Sequence, residues 1–129
     1  MNAGVHGAVR VWLRVEGLAV LAFALWLYAE GDYSWLLFAV LFFVPDVSFA
    51  GYLGGPGVGA VVYNAAHSYV GPVALGLASL ATGRAPDLAL IWAAHIGFDR
   101  ALGYGLKYST GFGDTHLGRI GRPRPTEKG

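Results

Sequence analysis

Residues 88–108 read L-A-L-I-W-A-A-H-I-G-F-D-R-A-L-G-Y-G-L-K-Y. The first half is apolar enough to enter a membrane as a helix. The second half carries His95, Asp99, Arg100, Tyr104 and Lys107. His95, Asp99 and Gly103 recur at four-residue steps, so a helix puts them on one side. Ionisable groups are costly inside a membrane helix, and those that persist face protein or a polar cavity and act there. The stretch therefore predicts a spanning helix that also builds a site.

The rest of the chain fits that reading. Its 129 residues are 55% hydrophobic and only 13% charged, with mean hydropathy +0.50. A soluble domain of this size cannot hide so much apolar surface. There is room for one domain at most. Without cysteine there is no disulfide frame and no thiolate metal site. A net charge of +1 argues against a nucleic-acid partner.

Three further apolar segments precede this one, over residues 9–29, 33–53 and 58–81. Each is long enough to cross about 30 Å of hydrocarbon. The first has Arg10 and Arg14 before its core and Trp26 and Tyr28 at the far interface. It is too long and too aromatic near Ala29 for a signal peptide, and equally apolar segments follow it. Gly31 suits a left-handed position at its end. Pro45 should kink the second segment and leave the Leu41 carbonyl without a donor. Gly54-Gly55-Pro56-Gly57 breaks the chain, Gly71-Pro72 should kink the third segment, and Pro86-Asp87 fits a helix start. The expected fold is all-α: an integral membrane four-helix bundle of antiparallel neighbours, two of them proline-kinked, with a short cytoplasmic C-terminal tail. Residues 1–121 form the four-span domain with a packed tail, and residues 122–129 are expected to be disordered.

Basic residues set the orientation. Arg10, Arg14, Lys107, Arg119, Arg122, Arg124 and Lys128 fall on the side of both termini, and only Arg84 on the other. Both termini should be cytoplasmic in a multi-pass protein of the inner (plasma) membrane.

Depth brings the polar residues together. At 1.5 Å of rise per residue, Glu16, Asp46, His67 and Asp99 lie about 10 to 13 Å below the cytoplasmic boundary. Asn64 is shallower and His95 deeper. Tyr63 and His67 are four apart and share a helix side. The expected site is a polar pocket in the inner half of the bundle. Its metal ligands would be His67, His95, Asp99 and Glu16, and its catalytic groups Asp46, Asp99 and Arg100. Tyr63, Asn64, Tyr104 and the tail residue His116 would complete it.

At these residues the chain resembles an uncharacterised bacterial membrane family, domain of unknown function 4260 (DUF4260). The resemblance runs from about Leu13 to Gly118. It rests on Leu13-Arg14-x-Glu16, Pro45-Asp46-x-Ser48-x-x-Gly51-Tyr52, Tyr63-Asn64-x-x-His67, His95-Ile96-Gly97-x-Asp99-Arg100, Gly103 to Tyr108, and Thr115-His116-Leu117-Gly118. It implies a small integral membrane protein and no particular activity.

Three functions compete on the residues alone. Histidine and carboxylate donors suit zinc, manganese or non-haem iron, and a bound metal would activate water against a lipid-like or other apolar substrate. The Glu-x-x-His and His-Glu-x-x-His signatures are missing. Carbonyls freed near Pro45 and Pro72 would instead serve a proton or ion conduit, which with four spans needs a homo-oligomer. The third reading is structural, with Arg100 neutralising Asp46, Asp99 or Glu16 in a buried ion network. The glycine-rich 54–59 stretch lacks a Walker lysine, and Ser48, Ser68 and Ser79 lack a nucleophile elbow.

Overall fold

The structure is a computed structural model that describes residues 7–106, 114–115 and 118–119. Its elements are α1 (Gly7–Glu30), α2 (Trp35–Leu41), a 3₁₀ helix (Val44–Gly54), α3 (Pro56–His67), α4 (Val70–Ala81) and α5 (Asp87–Leu102). Asp114–Thr115 and Gly118–Arg119 add a two-residue antiparallel pair. The all-α class holds for the body of the protein. The expected disordered end at 122–129, and Lys107, Tyr108 and His116, lie outside the described residues.

Prolines break helices here rather than bend them. Pro45 has no N–H for the Leu41 carbonyl, and its ring crowds that carbonyl. α2 ends at Leu41, and the chain continues after Phe42 and Phe43 as a 3₁₀ helix. Pro72 does the same to Ser68. α3 stops at His67, Ser68 is extended (φ −95°, ψ 145°), and α4 restarts at Val70. The two expected kinked helices are therefore four separate elements. Two stretches, Gly7–Glu30 and Trp35–Gly54, are each long and apolar enough to cross a membrane, while Val70–Ala81 is a shorter apolar helix.

The last helix is also shorter than the 88–108 expected. Gly103 adopts φ +95°, and its N–H donates to Arg100 O (3.0 Å) while Tyr104 N–H donates to Asp99 O (2.8 Å). These paired bonds are a Schellman stop, which needs a residue free to be left-handed. At the first turn it is Asp32 (φ +56°), not Gly31, that is left-handed. Aspartate tolerates that region. Gly31 is kept by space, since a Cβ there would meet the Tyr33 ring.

α1 packs along α5, α3 against the 3₁₀ helix, and α4 against α5. Small residues set the first contact: a Cβ on Gly97 would lie 2.7 Å from Gly17 O and 2.8 Å from Leu21 N. Arg14 Nε donates to Ala101 O (2.9 Å), tying α1 to the end of α5. The core runs along α5, where Ala89, Ile91, Ala94, His95, Ile96, Gly97 and Arg100 are buried. Large apolar side chains point outward on the other helices, among them Trp12, Leu36, Leu53, Val61 and Leu77.

Candidate metal centre

Both helix breaks fall beside a polar residue that needs to be placed. Asp46 opens the 3₁₀ helix one residue after Pro45, and His67 is the last residue of α3. His95 and Asp99 come from one face of α5. The four side chains converge. His67 Nε2 lies 3.1 Å from His95 Nε2, 3.2 Å from Asp46 Oδ1 and 3.5 Å from Asp99 Oδ2. His95 Nε2 lies 3.2 Å from the same Asp46 oxygen and 3.3 Å from Asp99 Oδ2. One donor atom from each lies within 4.8 Å of the other three.

Five of the six spacings are close to the edges of a tetrahedron, and the sixth, between the two carboxylate oxygens, lies within 4.8 Å. With metal–ligand bonds of about 2.0 Å, tetrahedral ligands sit about 3.3 Å apart. The histidines are 0% and 1% exposed, and the side chains of Asp99 and Asp46 are 13% and 33% exposed. Asp46 is thus the most open corner.

For His67 an outer contact fixes which nitrogen faces inward, whereas His95 Nδ1 is buried without a hydrogen-bond partner among the described residues. His67 Nδ1 lies 2.9 Å from the Tyr63 carbonyl, which only accepts, so Nδ1 carries the proton. In the neutral ring Nε2 is then a bare lone pair turned toward two carboxylates, which is the arrangement a metal-binding histidine needs. The Tyr63 ring stacks on His67 at 3.8 Å and 7°. Phe42 and Phe43 close over His95 edge-on, at 5.3 and 6.4 Å between ring centroids.

α5 also replaces backbone bonds lost at the break in 68–69. Trp92 Nε1 donates to Ala66 O (2.6 Å) and Arg100 Nη2 to His67 O (2.9 Å). The end of α3 is therefore held by the helix that supplies His95 and Asp99.

Not every expected residue joins the centre. Glu16 is exposed on α1 and lies outside the group of four, while Asp46, assigned only as a base, takes a corner. The reason is rotation: Gly17 faces α5, and its neighbour points about 100° away on a helix. Arg100 is buried but pairs with no described carboxylate, so the expected ion network is absent among the described residues. Asn64 is half-buried on α3 and Tyr104 exposed beyond α5. Tyr104 contributes its carbonyl, 3.4 Å from Arg100 Nη1. Trp92 has no part in the expected site, and its spacing from Arg100 along α5 is the available sign of their joint role.

Beside the centre lies a groove of about 400 Å³, lined by Leu41, Val44, Pro45, Ser48, Ala66, Leu75, Leu88, Ile91 and Trp92. It touches the chain neighbours of Asp46 and His67. Its wall is almost wholly apolar, and Ser48 Oγ is buried there without a hydrogen-bond partner.

The family described as Domain of unknown function (DUF4260) matches residues 10–120. The chain belongs to the DUF4260 family. That span contains all four corner residues, both prolines that break the helices, and Arg100. No curated protein and no solved structure matches this DUF4260 chain.

Proposed function

We propose that this DUF4260 protein is a membrane-embedded, metal-dependent hydrolase acting on an amphiphile. The observation that carries it is the meeting of two imidazole nitrogens and two carboxylate oxygens, all within 4.8 Å of one another, around two fully buried histidines. Without a cation or a shared proton the inward-facing lone pairs would repel. Two imidazoles and two carboxylates suit zinc, manganese or iron(II), since no thiolate selects otherwise.

His67, His95 and Asp99 are the three most enclosed donors and are assigned as ligands. Asp46, the most open corner, is assigned as the base that takes a proton from water. A divalent metal held there would lower the pKa of such a water, to about 7 in the case of zinc. The water oxygen adds to the scissile carbonyl or phosphoryl centre, and Asp46 returns its proton to the leaving oxygen. The apolar groove beside the centre supports an amphiphilic substrate, and the exposed apolar side chains support a bilayer around the helices.

Elemental analysis of the purified full chain tests this reading. A stoichiometric transition metal, lost in both His67→Ala and His95→Ala with helical content retained, is the expected result. Wild-type protein that folds and takes up no transition metal overturns it. In that case the four residues share a proton or serve only to fix the helices.

A further inference from the structure

Arg100 is 7% exposed, and its charge forms no ion pair with any described carboxylate. A guanidinium has five N–H donors. Here one reaches His67 O and one Tyr104 O, and the rest meet no acceptor among the described residues. Its Cζ lies 5.7 Å from the centre of the Tyr69 ring. The Tyr69 hydroxyl is itself buried and without a hydrogen-bond partner. Buried polar groups are nearly always satisfied, and a buried charge without a counter-charge is costly.

What both groups lack is an acceptor carrying negative charge. A divalent cation held at the centre would be balanced by the charges of Asp46 and Asp99 and would leave Arg100 as the excess positive charge beside it. The several donors fit the oxygens of a phosphate group better than a single carboxylate. Glu16, exposed on α1, is close enough for its charge to act on Tyr69.

We propose that Arg100 and Tyr69 bind a phosphate group carried by the substrate, making that substrate an anionic amphiphile. The proposal rests on the hydrolase reading for where the reacting bond lies, but the phosphate site itself needs no metal.

Calorimetry on the full chain in nanodiscs of uncharged lipid tests it, with dodecyl phosphate, inorganic phosphate and dodecyl phosphocholine as probes. Each titration is run on metal-loaded and chelator-stripped protein, with metal content measured in parallel. Dodecyl phosphate should saturate one site. Tyr69→Phe should weaken it about tenfold, the size of one hydrogen bond to a charged group. Glu16→Gln should tighten it about threefold by removing a nearby like charge. Arg100→Gln should abolish binding, and if that variant does not fold, the other two decide. Comparable binding of inorganic phosphate identifies a free phosphate compound as the source. Binding of dodecyl phosphate alone identifies a lipid headgroup. No saturable binding, equal binding of dodecyl phosphocholine, no change in Tyr69→Phe, or weaker binding in Glu16→Gln each overturns the proposal. Phosphate binding by a protein that takes up no transition metal ends the hydrolase reading alone, and metal uptake without phosphate binding ends this one alone.

Discussion

At the scale of single residues, position along a helix was legible and direction around it was not. Rise per residue puts Asp46, His67 and Asp99 at one depth, and in the structure they meet. The same arithmetic includes Glu16 and is misled there, because height says nothing about which side of α1 faces α5. Gly17 decides that, and its close approach to Arg100 and Gly97 is visible only once the helices are docked. Trp92 shows the complementary limit. Its indole N–H holds the Ala66 carbonyl one residue before His67, a contact between residues 26 apart in sequence. Trp92→Phe keeps the ring and deletes the donor, leaving a part-buried carbonyl unpaired. It should lower stability by about 1 to 2 kcal/mol, read as a lower melting temperature of the metal-stripped protein in detergent. Metal affinity should fall severalfold as well, because the turn that carries His67 is loosened.

At the scale of elements, Pro45 and Pro72 told where the helices change but not how completely. A proline can kink a membrane helix whose freed carbonyl finds another partner, or end it. Here Pro45 gives way to eleven residues of 3₁₀ helix, which turn about 120° per residue against 100° in an α-helix. That change of pitch sets the direction of Asp46 relative to α2. Pro45→Ala restores an N–H for the Leu41 carbonyl and lets α2 run on as an α-helix. Asp46 should then swing away from the histidines. The expected outcome is a fold that persists with metal affinity about tenfold weaker, the usual cost of losing a carboxylate that backs the ligands without being one of them. Competition against a zinc indicator measures it. Unchanged affinity would mean that Asp46 contributes nothing to holding the metal. Gly103 is a clearer signal of the same kind: it ends α5 at Leu102, six residues before the apolar pattern fades.

At the scale of the whole molecule, the proposed membrane embedding turns on how many crossings the helix lengths allow. α1 and the stretch from α2 through the 3₁₀ helix are each long enough. α3 and α4 have 12 residues apiece, so each spans only about 18 Å against a hydrocarbon layer of about 30 Å. Together, end to end, they are long enough to cross once. Folded back at Ser68–Tyr69, they would enter and leave on one side, and the sides assigned to all that follows would reverse. The positive-inside distribution favours a single crossing, since it leaves Arg84 alone opposite the other basic residues. The absence of cysteine makes this directly measurable. Leu53 is 93% exposed at the end of the 3₁₀ helix, and Arg84 is exposed between α4 and α5. In intact bacterial cells, Arg84→Cys should react with a membrane-impermeant maleimide added outside, while Leu53→Cys and Lys128→Cys should react only after permeabilisation. Labelling of Leu53→Cys and Arg84→Cys from the same side would show that residues 56–81 double back. The four-residue centre would survive that result, because its corners are fixed by contacts among the 3₁₀ helix, α3 and α5. The predicted depth of the centre, and the side from which an amphiphile reaches it, would not.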